Sequence, residues 1–165
     1  MLSVCPGCGL ELPSPDGALD ERYHATWACR ELLSELTAYT LTLRDPGFIH
    51  QLAIDAYLAQ HMGPHLKPIG IAFALVTLHL MFERGYTGRQ AQLAHMQLAK
   101  RWKTWPRFER TSAAKTALTV RDVIQAPPGD ARGAMLARWG KAVWELWQPE
   151  HAAVAALLDR TLFLL

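Results

Sequence analysis

Cys5, Cys8, His24 and Cys29 are metal-ligating side chains crowded into the N-terminal segment of this chain. Their types set the chemistry: three thiolates and one imidazole make a soft, complete tetrahedral set for Zn²⁺. Cys5-Pro6-Gly7-Cys8-Gly9 is a C-x2-C turn that places two sulfurs about one ion. Backbone N–H groups of such a turn point at the sulfurs, and Gly7 and Gly9 are expected to supply positive φ there. His24-x4-Cys29 supplies the second pair, with Cys29 near a helix start where the dipole favours a thiolate. His50 is the alternative fourth ligand. Three cysteines cannot all pair as disulfides within one chain, whereas a metal satisfies all of them at once. A filled tetrahedron leaves no position for water, so the expected role of the ion is to staple.

A second group of polar side chains lies further on. His50, Asp55, Gln60 and His61 fall in one helical stretch, but eleven residues at 1.5 Å each put His50 and His61 about 16 Å apart, too far to share an ion. His61 and His65 have H-x3-H spacing, yet Gly63-Pro64 breaks the helix between them. His79 stands in a very apolar helix and needs a buried partner, for which Glu83 or Asp55 are candidates. Two accounts compete. In one, these groups fix helix packing through hydrogen bonds. In the other, Asp55, His61, His79 and His151 converge on one pocket as the centre of a small metal-dependent enzyme. Trp144, Trp147 and His151 follow i, i+3, i+7 spacing, which suits core packing.

Lys100, Arg101, Lys103, Arg107 and Arg110 interleave with Trp102, Trp105 and Phe108, a mixture suited to phosphate contacts and base stacking. A net charge of +2 permits a nucleic-acid partner without demanding one. A solvated helix end with an anchored loop explains the segment more simply and is the preferred reading. No P-loop, G-x-G-x-x-G, G-x-S-x-G or H-E-x-x-H motif occurs.

The elements that must position these residues are helices. With 165 residues, half of them hydrophobic, the chain suits a single domain over residues 1–165. Residues 1–24 form the zinc-knuckle arm, punctuated by Pro6, Pro13, Pro15 and Asp16-Gly17, and residues 25–165 form the helical bundle. Helices are expected from Ala25 to about Leu43, from Pro46-Gly47 to about Met62, from Pro68 to Arg84 and from Thr87 or Gly88 to about Trp102. One or two short pieces follow between Thr111 and Ala126, then a helix from Asp130 to Trp147 and a last one from Pro149 to the C-terminus. No strand alternation of useful length is present, so the fold class is all-α, with about six helices. Pro68–Arg84 is apolar nearly all round and is expected at the centre. Its longest apolar run, fourteen residues from Ile69 to Phe82, is short of the about 20 that span a bilayer. With no basic and apolar leader at Met1–Cys5, a cytoplasmic location without membrane contact is expected.

The order of motifs also resembles a bacterial family described as a domain of unknown function. The resemblance rests on Cys5-Pro6-Gly7-Cys8-Gly9, Cys29, His50-Gln51, Asp55-x-Tyr57-x-x-Gln60-His61, His79-Leu80, Glu83-Arg84-Gly85, Val143-Trp144 and His151. It departs at His61-Met62-Gly63-Pro64, where the family more usually has His-Pro-Gly after the Gln. The resemblance implies site residues and no activity. The reading is therefore a zinc-binding helical protein with a structural site, acting as an interaction or regulatory module with a protein partner. A metal-dependent enzyme and a thiol redox sensor are the alternatives.

Overall fold

A computed structural model of the chain describes residues 1–14 and 17–162. Pro15, Asp16 and the end of the expected last helix at residues 163–165 lie outside the described residues. The fold is all-α, with seven α-helices among the described residues and four very short strands.

The strands build the arm. β1 (Leu2–Val4) pairs antiparallel with β2 (Glu11–Pro13), Leu2 opposite Pro13 and Val4 opposite Glu11, and so brackets the knuckle from Cys5 to Leu10. β3 (Leu19–Asp20) pairs with β4 (Ala25–Thr26) across a turn in which the Asp20 carboxylate accepts from the N–H groups of Arg22 (2.7 Å) and Tyr23 (3.2 Å). Thr26 then caps α1 (Trp27–Thr42), its hydroxyl accepting from the Cys29 N–H at 3.3 Å.

α2 (His50–Gln60) begins three residues later than the Pro-Gly signal suggested. The Asp45 carboxylate accepts from the N–H groups of Gly47 and Ile49, both at 2.8 Å, and Phe48 takes a left-handed φ of 53°. That turn absorbs Pro46 and Gly47. α3 (Pro68–Arg84) starts on Pro68 and stops at Gly85, whose φ of 67° suits the residue. α4 (Gly88–Arg101) carries a capping box from Thr87 and Gln90. Residues 102–118 run without a helix, so of the one or two short pieces expected between Thr111 and Ala126 the structure has one. α5 (Val120–Gln125) has its own box from Thr119 and Asp122. α6 (Asp130–Leu146) has Gly129 rather than Asp130 at its cap, and a 3-10 turn at Gln148–Glu150 leads into α7 (His151–Leu162).

The centre is a pair of helices rather than one. α2 packs against α1, α3, α4 and α6, and α3 against α2, α4, α6 and α7. Fully buried Ala53, Ala56 and Ala59 let neighbours approach α2 closely. Trp139 and Trp147, both buried, hook α6 and the turn after it to α2, their indole N–H groups donating to Gln60 Oε1 (3.1 Å) and the Ala59 carbonyl (3.2 Å). Among the described residues, no helix is long and apolar enough to cross a membrane.

Candidate metal centre

The arm and the ends of two helices meet at four buried side chains. The knuckle is closed by two backbone hydrogen bonds, Gly9 N–H to the Cys5 carbonyl and Cys5 N–H to the Leu10 carbonyl, both 2.8 Å. Gly9 has the expected positive φ of 80°. Gly7 does not have positive φ; it is needed for room. A Cβ there would lie 2.5 Å from both the His24 carbonyl oxygen and Cδ2 of His61. Cys29, in the first turn of α1, and His61, at the C-terminal end of α2, complete the set.

One donor atom from each of Cys5, Cys8, Cys29 and His61 lies within 4.8 Å of every other, a group that could hold a metal ion. Cys8 Sγ and Cys29 Sγ are 3.8 Å apart, and Cys29 Sγ and His61 Nε2 are 3.4 Å apart. Zinc–sulfur bonds of about 2.3 Å at the tetrahedral angle put two sulfurs about 3.8 Å apart, and a sulfur and an imidazole nitrogen about 3.6 Å apart. The spacing therefore fits a tetrahedral ion. His61 is poised for that role: its Nδ1–H donates to the Tyr57 carbonyl at 2.9 Å, which leaves the Nε2 lone pair facing the sulfurs. The Tyr57 ring stacks on the imidazole with centroids 3.8 Å apart, and its hydroxyl donates to Cys29 Sγ at 3.6 Å. Burial, and then the neighbouring Cys29 sulfur, push the Tyr57 phenol well above its ordinary pKa, so it stays a donor.

Electrostatics of the bare thiols points the same way. Hydrogen bonds from Cys29 and Cys8 hold Cys5 far below the usual thiol range, as a thiolate. The Cys5 sulfur bond, the Cys8 bond and burial push Cys29 far up. Cys8 is pushed up to about 12: its bond to Cys29 acts against the rise, but the bond to Cys5, burial and the Cys5 charge outweigh it. With Cys8 and Cys29 pushed up while Cys5 is pulled down, the crowded sulfurs resist ionising together, and a dication is what would let all three do so.

His24 and His50 do not join the set, a correction to the expected fourth ligand. The His24 backbone, not its imidazole, reaches the site: its N–H donates to the His61 carbonyl at 2.9 Å, while the side chain is exposed. The turn between β3 and β4 faces it outward. His50 Nδ1 is engaged by the Thr40 hydroxyl at 2.8 Å. Reasoning from spacing missed His61 because its placement depends on where α2 ends, which the Gly63-Pro64 stop signals.

Asp55, His61, His79 and His151 do not converge. Among the described residues, the Cys5–Cys8–Cys29–His61 group is the one set of three or more such side chains close enough to share an ion. Asp55 accepts from Gln51 Nε2 at 2.7 Å, and burial pushes its carboxyl up to about 7 against bonds from Thr77 and Gln51. His79 accepts from Arg84 Nε at 3.2 Å rather than pairing with Glu83 or Asp55, and among the described residues its buried Nδ1 has no hydrogen-bond partner. Glu83 instead accepts from the Trp144 indole at 2.7 Å. His151 stacks on Trp144 at 3.6 Å and donates to that residue's carbonyl, and His79 meets the same indole edge-on.

The basic segment has turned its aromatics inward. Trp102 donates to Thr161 Oγ1 at 2.8 Å, Trp105 meets Phe73 edge-on at 5.1 Å, and Phe108 is buried. Lys100, Arg101, Lys103, Arg107 and Arg110 thus lack the exposed stacking platform that single-stranded nucleic acid uses.

Compared with known proteins, nothing among curated proteins or solved structures matches this chain significantly. A family model does, over residues 3–148, a span that holds all four members of the buried cluster. The chain accordingly belongs to the family of unknown function DUF5946.

Proposed function

We propose that Cys5, Cys8, Cys29 and His61 hold a structural Zn²⁺ and that the protein works as an interaction or regulatory module. The buried tetrad carries this reading. Its side chains are at most 4% exposed, and their spacing is that of a tetrahedron's edges. Soft sulfur and imidazole donors select zinc over magnesium or calcium, and a closed shell favours a staple over a catalytic ion. The segments the ion would join carry Leu2, Val4, Leu19 and Trp27, each half exposed or more, which supports an interaction role. Burial of the sulfurs weighs against a thiol sensor, which needs an accessible thiolate.

Elemental mass spectrometry of freshly purified, reduced protein tests the reading. One equivalent of zinc per chain is expected, lost in Cys8→Ser and His61→Ala and kept in His24→Ala. Metal-free protein, or zinc that survives Cys8→Ser, refutes it.

A further inference from the structure

Two adjoining clefts open beside the knuckle, about 420 Å³ and about 190 Å³, and share His24, Met62 and Arg110 as walls. The larger has an apolar side made by Met62, Leu66, Ile71 and Phe108. The smaller ends against Pro6 and Gly7 and is flanked by Lys115. Arg110 is half-buried there, and among the described residues its guanidinium has neither a hydrogen bond nor an ion pair. Burial lowers its pKa, and no carboxylate opposes the shift. Glu109, which also lines the larger cleft, faces Arg107 at 4.0 Å. Lys115 Nζ donates to the carbonyls of Pro6 and of Gly7 (2.9 Å), so its position is fixed while its charge is not neutralised. A partly desolvated cation without a counter-charge is costly unless an anion supplies one.

We propose that the paired clefts are a binding site for a small organic anion, whose oxyanion head sits between Arg110 and Lys115 and whose short apolar body lies along Met62, Leu66 and Ile71. The guanidinium offers a planar fork to a carboxylate or a phosphate monoester, and the ammonium adds a second positive charge. The site is separate from the metal cluster but shares the knuckle with it: Lys115 is held by Pro6 and Gly7, which flank and separate Cys5 and Cys8.

Titration of zinc-loaded protein with hexyl phosphate and with hexanoate, followed through the Arg110 Nε–H resonance by NMR and by calorimetry, tests the site. At least one probe is expected to saturate at millimolar or lower concentration, and the comparison tells a phosphate site from a carboxylate site. Arg110→Gln should weaken that binding roughly tenfold or more, as loss of a charged hydrogen bond does, without lowering Tm, because the side chain has no partner to lose. Arg101→Gln, exposed on α4, should bind as the parent does. Saturation by neither probe, unchanged binding in Arg110→Gln, or 1-hexanol binding as tightly as hexanoate overturns the proposal.

Discussion

Gly7 is the residue on which the geometry of the metal centre turns most directly. A methyl group there would meet a backbone oxygen on one side and the His61 ring on the other, both at 2.5 Å, so no flexible side chain can yield. Gly7→Ala is expected to push the imidazole off Cys29 and lower zinc affinity about 10- to 100-fold, the range seen when ligand positioning is disturbed. Competition with a chromophoric chelator measures this. Gly9→Ala makes the contrast: its φ of +80° costs about 1–2 kcal/mol, but the new Cβ would meet only Lys115 Cγ at 3.8 Å, so zinc should stay. Equal zinc affinity in the two variants would contradict this assignment of roles. At this scale Cys5 and Cys8 were legible because a C-x2-C turn is local, and Cys29 because it is the one other cysteine and sits at a helix start. His61 was not, because it lies 32 residues from Cys29 and is brought there by tertiary packing.

Where α2, α3 and α4 touch, a buried polar chain runs from Gln51 to Asp55, on to Thr77, and from Thr77 Oγ1 to His95 Nε2 at 2.9 Å. His95 Nε2–H also donates to the Phe73 carbonyl at 2.9 Å, and burial lowers its pKa to about 4. The two titrations oppose each other. Asp55, raised from 3.8 to about 7, binds its proton more tightly when folded; its contribution is full below about pH 4 and is lost as pH rises through 7. His95, depressed from 6.5 to about 4, contributes fully above 6.5 and loses that as pH falls toward 4. At about 1.4 kcal/mol per unit Asp55 spans roughly 4.5 kcal/mol and His95 roughly 3.5, and their opposed slopes nearly cancel between about pH 4 and 6.5. Asp55→Asn keeps an acceptor for Gln51 and removes one side of the balance. Its stability relative to the parent should rise with pH across the window from about 4 to 7, and urea melts at several pH values read the difference. A pH-independent difference would show that Asp55 does not titrate in that window. The helices themselves were legible from Pro68, Gly85, Thr87 and Thr119, which punctuate the chain locally. The strands were not, since runs of two or three residues carry no alternation, and the late start of α2 depends on Asp45 replacing a helical turn.

Across the whole molecule, the proposed ion joins a weak part to a strong one. The strong part is the α2–α3 pair with α6 hooked on by Trp139 and Trp147. The weak part is the pair of small hairpins, whose strands are too short to stand alone and whose buried hydrophobic side chains, among the described residues, are Leu12, Tyr23 and Ala25 besides Cys5 and Cys8. Chelation should therefore leave two different responses in hydrogen exchange. Amides from Leu2 to Cys29 and at the end of α2 should lose protection, because three crowded thiols without a cation cannot all ionise and His61 loses its sulfur partners. Amides of α3, α4 and α7 should keep theirs. The segment around Lys115 should loosen with the arm, since its anchor is the carbonyl pair of the knuckle. Uniform loss through α3 would make the metal part of the core rather than a staple, and an arm that stays protected without metal would leave the ion no structural work to do.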